Sequence, residues 1–300
     1  MNPKALLLDL NDYRKSGEGA NGASYDCISD PDVMVKLYNE DYPTDTIYTE
    51  LEVARKVFDA GIPSPEPGEL VTDGKRIGIR FRRIVGKRSH ARAVSQEPER
   101  VVEYAVEFAR MCKHLHSTTL PDGYFPDAKQ QFIHLVESEK SFTDKEKAPI
   151  LEFIRSLPDA KTALHGDMHF GNTLTTLPAG APMSDPHDTY FIDLGYFAQG
   201  YPLLDLGMLQ NVCLFADEDF RVESFHMGRE LTSKFWDAFV DEYFFGEEKL
   251  AEKYFGTGAT KVIVNEKLKY FTSVKLFLVS FNLGFMLPNY DAIIRKTFGL

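Results

Sequence analysis

Cysteine is scarce in this chain, and its scarcity excludes two common architectures. The 300 residues include only Cys27, Cys112 and Cys213, which lie far apart and form no C-x-x-C pair. Such spacing supports neither a disulfide framework nor a cysteine-based zinc site. A reduced, cytoplasmic setting is therefore expected.

Long apolar segments are also missing. The most apolar late run, residues 276–287, is shorter than the roughly 20 residues that a helix needs to cross a bilayer, so we predict a buried helix there. The N-terminus, MNPKALLLDL, has one lysine and an apolar run interrupted by Asp9, which is too short for a signal peptide. We therefore predict no association with a membrane.

Positive charge is in deficit. The 34 lysines and arginines are outnumbered by 45 aspartates and glutamates, which gives a net charge of -11. A nucleic-acid-binding protein usually carries a basic stripe, so that class is disfavoured. The acidic surplus is compatible with a cationic partner, although acidic proteins without one are common. The length allows one large domain or two lobes, and the oligomeric state is left open.

The character of the sequence changes near residue 86. Before it, the alternation in VMVKLY, residues 33–38, predicts a strand, and residues 44–60 predict a helix that Gly61 and the following prolines end. After it, helices dominate around one polar hairpin at residues 163–194; the candidates are residues 101–115, 130–140, 147–157, 220–245 and 261–287. We therefore predict an α+β chain with a small lobe, residues 1–85, and a larger helical lobe, residues 86–300.

The predicted small lobe contains a glycine-rich loop and an isolated lysine. Gly17, Gly19 and Gly22 form GEGANG between two predicted strands, where backbone N–H groups could cover phosphates or simply make a hairpin turn. Lys36 is the only charge in VMVKLY, so it either lies at an exposed edge or needs a buried partner. Glu50, on the following helix, is the candidate partner. Such a pair would direct the ammonium at the phosphates of a nucleotide.

Two polar motifs supply a candidate base and candidate metal ligands. LHGDMHFGN, residues 164–172, contains Asp167 and Asn172, and FIDLG, residues 191–195, places Asp193 after the next strand. A hairpin would bring their oxygens together, and Mg²⁺ prefers oxygen ligands. A carboxylate on the same loop can accept a hydroxyl proton. A phosphate lid, a lysine, metal ligands and a base are the parts that phosphoryl transfer needs.

These motifs together resemble the aminoglycoside phosphotransferase and choline kinase superfamily. The family pattern H-G-D-x-H-x-x-N, the metal strand with its I-D and later glycine, and a following D-L are all present, the last in GYPLLDLG. LHS at residues 115–117 and GIPSP after the first helix are typical as well, so the resemblance covers nearly the whole chain. It implies a bilobal protein-kinase-like fold. It also implies transfer from ATP (or GTP), with Mg²⁺, to a hydroxyl of an amino alcohol, sugar or amino sugar.

The resemblance implies a role for each matched residue of the catalytic loop. Asp167 would be the catalytic base, and Asn172 and Asp193 would hold Mg²⁺. His165 and Asp205 would support the loop without taking part in the chemistry.

The nucleotide would be bound by the small lobe. Lys36, kept in place by Glu50, would contact the α- and β-phosphates. The loop with Gly17, Gly19 and Gly22 would cover the nucleotide. Arg83 and Val85 lie in the expected hinge, whose backbone would pair with the adenine edge.

Some features depart from the pattern or stay open. His169 fits a structural or a catalytic role, and a zinc site is rejected because no H-E-x-x-H helix and no third ligand are present. The Pro/Gly/Asp-rich loop at residues 178–188 is longer than a minimal hairpin needs. The arginines in RFRRIVGKRSHAR fit exposed strand-edge charges better than a site for an extra phosphate.

The identity of the phosphate acceptor is the part of the function about which the sequence says least. FADEDF, residues 215–220, and FWDAFVDEYFFGEE, residues 235–248, mix acids with aromatics, and Trp236 and Tyr243 could surround a quaternary amine. The alternative is that these aromatics, at helical spacing, belong to the core. A protein kinase-like enzyme and a catalytically silent nucleotide-binding regulator also stay open. The first would need an activation segment after Asp193, and the second would be expected to lack the base or a metal ligand.

Overall fold

The computed structural model describes residues 5–19 and 21–300. The first four residues of the N-terminal segment, and Ala20 inside the glycine-rich loop, therefore lie outside the described residues. The chain divides into two units: unit 1 comprises Met1–Arg88 and Thr173–Tyr196, and unit 2 comprises Ser89–Asn172 and Phe197–Leu300.

The chain alternates short strands with helices in its first part and is mainly helical afterwards. The strands are β1 (Leu6–Leu7), β2 (Tyr13–Gly19), β3 (Gly22–Cys27), β4 (Val33–Tyr38), β5 (Pro67–Thr72), β6 (Ile77–Arg82), β7 (Arg88–Ser89), β8 (Thr162–Leu164), β9 (Thr173–Thr175), β10 (Thr189–Phe191) and β11 (Ala198–Gly200). The helices are α1 (Thr44–Asp59), α2 (His90–Gln96), α3 (Val101–Ser117), α4 (Ala128–Ser138), α5 (Asp144–Ser156), α6 (Leu203–Gln210), α7 (Glu218–Phe225), α8 (Arg229–Phe245), α9 (Leu250–Phe255), α10 (Lys261–Leu283) and α11 (Pro288–Phe298).

Unit 1 is built on a six-stranded sheet with the order β1-β5-β6-β4-β3-β2. Neighbouring strands are antiparallel, except that β1 runs parallel to β5. Val35 and Leu37 lie on one face of β4, alternating with Met34, Lys36 and Tyr38 on the other, and form a fully buried cluster with Val71 of β5. This alternation is the pattern that predicted the strand.

Helix α1 confirms the helix predicted for residues 44–60. It buries Ile47, Leu51, Ala54 and Val57 along one face. Gly61 ends it in the left-handed region, at φ 73, where a residue without Cβ is least strained.

The predicted polar hairpin, residues 163–194, is divided between the two units: residues 163–172 belong to unit 2, and strands β9 and β10 belong to unit 1. The sequence analysis placed the whole hairpin in the helical lobe. Strands β9 and β10 pair with Thr175 opposite Thr189, and β7 is the third strand of their sheet. The Phe191 amide donates to the Pro63 carbonyl at 2.8 Å, and the Arg88 guanidinium donates to the Leu177 carbonyl at 3.0 Å. These long-range hydrogen bonds tie the β9–β10 part of the hairpin to unit 1. The division at residue 85 otherwise stays a prediction.

Unit 2 is a helical assembly with two main packing contacts. Helix α3 packs on α8, where the Phe108 ring lies 5.6 Å from Phe235 and 5.8 Å from Phe239. Helix α6 packs closely on α10, because a Cβ at Gly207 would lie 2.5 Å from the Phe271 carbonyl carbon. Strands β8 and β11 pair antiparallel beside these helices.

Two helix predictions differ from the structure. Residues 220–245 form two helices, because the chain turns at His226, whose φ is 56, before α8 begins. The run 276–287 is buried only in its first part: α10 ends at Leu283, and Phe281 and Phe285 are exposed. Among the described residues, no helix combines the length and apolar character that spanning a membrane requires.

Candidate functional site

The predicted lysine pair forms in unit 1. The Lys36 ammonium lies 3.0 Å from the Glu50 carboxylate and 2.6 Å from the Asp193 carboxylate. Strand β4 fixes the lysine backbone, α1 supplies the glutamate, and the segment after β10 supplies the aspartate. The Tyr38 ring centroid lies 4.9 Å from the same ammonium. Three of the predicted site residues are thus in one cluster.

The two carboxylates keep Lys36 charged. Burial by itself would lower the pKa of Lys36, but Asp193 and Glu50 outweigh it and raise that pKa above its ordinary value. Lys36 is therefore an ammonium at neutral pH, which suits a residue expected to meet phosphates.

Asp193 adopts an uncommon backbone conformation. Its φ is 55, in the left-handed region that aspartate tolerates better than bulkier residues. A short 3-10 helix, Leu194–Tyr196, follows directly. The Asp193 side chain is about half exposed (50%), so a ligand can reach it.

The glycine-rich loop is the β2–β3 hairpin. Gly19 pairs with Gly22, and Gly17 pairs with Ser24. Gly22 also lies against β4, where an added Cβ would be 2.2 Å from the Leu37 carbonyl oxygen. Glycine is therefore required at this position by a close backbone approach, whichever ligand the loop binds.

The expected hinge residues differ in their surroundings. The Arg83 amide donates to the Asp32 carbonyl at 2.7 Å, and the Arg83 guanidinium lies 3.0 Å from the Asp26 carboxylate. The Val85 side chain is exposed. Nearby arginines are also paired, since Arg80 lies 2.9 Å from Glu69. These arginines are paired, but β6 lies inside the sheet between β5 and β4, so they are not charges on an edge strand as the sequence analysis expected.

The catalytic-loop motif lies in unit 2, directly after β8. The Asn172 amide nitrogen donates to both the backbone carbonyl and the carboxylate of Asp167, each at 3.0 Å. The Gly171 amide donates to His169 Nδ1 at 3.1 Å, which leaves Nε2 as the ring nitrogen that can donate a hydrogen bond. That nitrogen lies 3.6 Å from the Asp167 carboxylate. The loop therefore folds around Asp167.

The surroundings of Asp167 favour its ionised form. Burial alone would raise the pKa of Asp167, but His169, His165 and Lys275 outweigh it and hold that pKa well below its ordinary value. A carboxylate so placed can accept a hydrogen bond from a hydroxyl group.

Asp205 fixes the start of the loop. Its carboxylate accepts hydrogen bonds from the amides of His165, at 2.7 Å, and Gly166, at 2.9 Å. His116 Nε2 lies 3.2 Å from the same carboxylate, and the Tyr243 hydroxyl lies 2.8 Å from His116 Nδ1. Asp205 is fully buried, so these partners are what make its charge tolerable there.

The donor atoms suit a magnesium ion. Because the Asn172 nitrogen already bonds to Asp167, the amide oxygen is the Asn172 atom that a cation could use. Within residues 5–19 and 21–300, no group of three or more histidines, cysteines, aspartates or glutamates could hold a metal. Mg²⁺ often needs only one or two protein oxygens, because substrate phosphates and waters complete its shell.

Comparison with known protein families shows which family the chain belongs to. The model of the phosphotransferase enzyme family matches residues 13–252. The chain belongs to this family. No curated protein sequence matches it at a significant level.

Solved structures similar to this phosphotransferase share its fold at low sequence identity. The aminoglycoside-3'-phosphotransferase of type VIII is 20% identical, with a TM-score of 0.53 over 88% of this chain and 91% of that chain. The aminoglycoside phosphotransferase APH(3'')-Id from Streptomyces rimosus, in complex with ADP and streptomycin, is 14% identical, with a TM-score of 0.50 over 88% and 92%. The GDP and kanamycin complex of APH(2'')-IIia is 12% identical, with a TM-score of 0.52 over 97% and 92%. The α+β, protein-kinase-like fold class is confirmed.

Two aromatics considered for an acceptor wall, Trp236 and Tyr243, belong to the core. Trp236 and Tyr243 are each about 1% exposed. The Trp236 indole N–H donates to the Asn265 side chain at 2.7 Å, and the Tyr243 hydroxyl contacts His116. Neither ring can surround a quaternary amine while it is buried in this way.

Two residues next to the catalytic loop, His116 and Lys275, were not predicted from the sequence. His116 lies within the LHS motif, which was noted only as typical of the family. Lys275 of α10 donates to the Gly166 carbonyl at 2.5 Å, and its only sequence signal was a lone lysine in the apolar stretch SVKLFLVS.

Proposed function

We propose that this phosphotransferase moves the γ-phosphoryl group of ATP (or GTP), with Mg²⁺, to a hydroxyl group of a small molecule. The acceptor class is an amino alcohol, a sugar or an amino sugar. The observation that carries the proposal is the ionised Asp167 carboxylate, held by the Asn172 amide in the conformation of the H-G-D-x-H-x-x-N loop. Family membership supports the reaction type.

In the proposed reaction, Asp167 accepts the proton of the acceptor hydroxyl. The hydroxyl oxygen forms a bond to the γ-phosphorus, and the bond from that phosphorus to the β–γ bridging oxygen breaks. The products are a phosphate monoester and a nucleoside diphosphate. Asn172 keeps the carboxylate oriented while the proton moves.

Lys36 and Asp193 are proposed to act on the nucleotide. The ammonium would contact the phosphates, with Glu50 holding it in place. Asn172 and Asp193 would bind Mg²⁺, which when bound neutralises negative charge on the phosphates. The hairpin with Gly17, Gly19 and Gly22 would cover the nucleotide.

Within the expected hinge, Val85 is the better candidate for backbone contact with a purine edge. The Arg83 amide is already used by Asp32, whereas the Val85 side chain lies at the surface. Since similar structures contain ADP or GDP, either purine is a reasonable donor base. The proposal includes a cytoplasmic setting, an acceptor that can be cationic, and no nucleic-acid or membrane partner.

The test is nucleoside diphosphate release from ATP and from GTP, with and without Mg²⁺. The acceptor panel comprises aminoglycosides, choline, ethanolamine, sugars, amino sugars and hydroxy-amino acids. Asp167→Asn serves as the matched blank, because it keeps the shape and a hydrogen-bonding group but cannot accept the proton as a carboxylate does. We expect at least one acceptor to stimulate Mg²⁺-dependent release in the wild type and not in the variant.

Nucleotide affinity separates this proposal from a silent regulator. Asp167→Asn should bind the nucleotide nearly as well as the wild type does, because the phosphate contacts come from other residues. A wild type that binds nucleotide but releases no diphosphate with any acceptor would favour the regulator. Near-normal turnover in Asp167→Asn would remove the base assignment.

A further inference from the structure

Lys275 is a buried lysine whose position the proposed reaction does not explain. It lies in α10 and is 2% exposed. It is in no ion pair among the described residues, and the Asp205 and Asp167 carboxylates favour its charge only from beyond contact distance. Burying an ammonium without a carboxylate in contact is costly. A residue kept at this cost needs a specific reason.

The ammonium of Lys275 is directed at the catalytic loop. It donates to the Gly166 carbonyl oxygen at 2.5 Å and lies 5.0 Å from the Phe132 ring centroid. The Gly166 amide, for its part, donates to Asp205 at 2.9 Å. Both backbone polar groups of Gly166 are therefore held by charged side chains, Asp205 from α6 and Lys275 from α10.

This contact fixes the peptide unit that leads into Asp167. The Gly166 carbonyl and the Asp167 amide belong to one planar peptide group. The carbonyl is held by Lys275, and the amide donates to His165 Nδ1 at 3.3 Å. Gly166 has φ 82, in the left-handed region, and without a Cβ its backbone could adopt other conformations as readily. The direction in which the Asp167 side chain leaves the loop thus depends on these two contacts.

We propose that Lys275 is a positioning residue for phosphoryl transfer. It holds the Gly166–Asp167 peptide, and through it the Asp167 carboxylate, in the orientation that receives the acceptor hydroxyl. Lys275 touches neither substrate nor nucleotide in this role. The inference rests on the proposed function of Asp167.

Lys147 provides a matched control, because it separates the loss of a buried lysine in general from the loss of the contact with the catalytic loop. Lys147 of α5 is also buried, 8% exposed, and it also donates to a backbone carbonyl, that of Glu137, at 2.9 Å. Within residues 5–19 and 21–300, it makes no hydrogen bond or ion pair with the catalytic loop. Lys147→Met therefore removes the same kind of interaction as Lys275→Met, at a place that should not matter for transfer.

The kinetic test compares kcat and KM of the wild type, Lys275→Met and Lys147→Met. Methionine fills similar space but cannot donate a hydrogen bond. We expect Lys275→Met to lower kcat by about 10-fold to 100-fold, the effect of losing one hydrogen bond from a charged donor. The KM for nucleotide should stay within about 2-fold, because the phosphate contacts remain. Lys147→Met should leave both constants within about 2-fold of the wild type, whatever its melting temperature.

A second measurement does not depend on turnover. Hydrogen–deuterium exchange of the peptide covering residues 164–172 should be about 10-fold faster or more in Lys275→Met, and unchanged in Lys147→Met. If the wild type proves inactive with every acceptor, the proposed function fails, and this exchange result alone decides whether Lys275 holds the loop.

The following kinetic and exchange results would overturn the proposed role of Lys275. With an active wild type, a kcat of Lys275→Met within 2-fold of it overturns the positioning role, whatever the exchange shows. Unchanged exchange at residues 164–172 overturns the contact itself. Lys275→Gln, which is shorter and neutral but still a donor, covers the case in which the methionine variant does not fold. Failure of both variants to fold would assign Lys275 to the structural core instead.

Discussion

The ammonium of Lys36 lies 2.6 Å from the Asp193 carboxylate, although the two residues are 157 positions apart in the chain. One is the proposed phosphate ligand, and the other is a proposed metal ligand. Their ion pair holds both charged groups in place. In the proposed reaction, Asp193 would contact the metal and Lys36 the phosphates.

Replacing Lys36 with methionine should leave the fold intact and remove most of the activity. The Lys36 ammonium is lost, so the charge that develops on the phosphates loses one of its proposed stabilising contacts, although Mg²⁺ would still bind. We expect kcat/KM for transfer to fall by about 100-fold or more, the usual scale for removing one preorganised charge contact. Steady-state kinetics and a melting curve provide the measurement.

The control for Lys36 is Lys15→Met. Lys15 pairs with Glu18 at 3.0 Å in the same sheet, but both side chains are exposed. This variant should keep wild-type kinetics. Wild-type kinetics in Lys36→Met would remove Lys36 from the site.

Replacing Asp193 with alanine should act on the metal-dependent part of nucleotide affinity. The variant removes a carboxylate that Mg²⁺ could use, while Lys36 keeps its pairing with Glu50. Calorimetry with and without Mg²⁺ measures the difference. We expect the gain in affinity on adding Mg²⁺ to shrink by about 10-fold or more, on the scale of a lost charge-assisted contact. A gain equal to that of the wild type would show that Asp193 is no metal ligand.

Local patterns were sufficient to predict the parts of the fold that depend on neighbours in sequence. The alternation of VMVKLY and the apolar spacing before Gly61 gave β4 and α1, because strand period and helix end signals are local. The pairing of Lys36 with Glu50 was also foreseen, since a lysine in an apolar strand needs a partner.

Long-range contacts could not be predicted in this way. Lys275 and Gly166 are 109 positions apart, and nothing near either residue in the sequence specifies the other. The turn at His226, which divides the predicted helix 220–245, depends on a left-handed residue that helical spacing does not reveal. Aromatics such as Trp236 have the same spacing whether they form a core or a ligand site, and only burial separates the two.

The ion pair between Glu146 and Arg295 should make the stability depend on acid pH. The pKa of Glu146 is lowered to about 2, because it accepts hydrogen bonds from the Thr143 amide and hydroxyl and from the Arg295 guanidinium. A lowered pKa in the folded state means that the carboxylate contributes stability above its unfolded pKa, near 4.5, and loses it as the pH falls toward 2.

Glu146→Gln should therefore have a lower melting temperature than the wild type at neutral pH, and the difference should shrink between pH 4.5 and pH 2. Thermal melts over this range provide the measurement. Glu152→Gln, an exposed position on the same helix, is the control and should follow the wild type. A difference that stays constant down to pH 2 would contradict the assignment.

Removing His116 should destabilise unit 2 through Asp205. The Asp205 carboxylate is fully buried, and His116 bridges it to the Tyr243 hydroxyl. In His116→Ala, the hydrogen bonds that remain to the carboxylate among the described residues come from backbone amides, and the buried tyrosine hydroxyl loses one of its partners. Leaving a buried charge partly uncompensated costs about 3 kcal/mol, so the free energy of unfolding in urea should fall by roughly that amount. His114→Ala, two residues earlier on the same helix but exposed, should change it by less than about 0.5 kcal/mol. Equal losses in the two variants would show that Asp205 does not depend on His116, and its two amide contacts would then be sufficient to hold the catalytic loop.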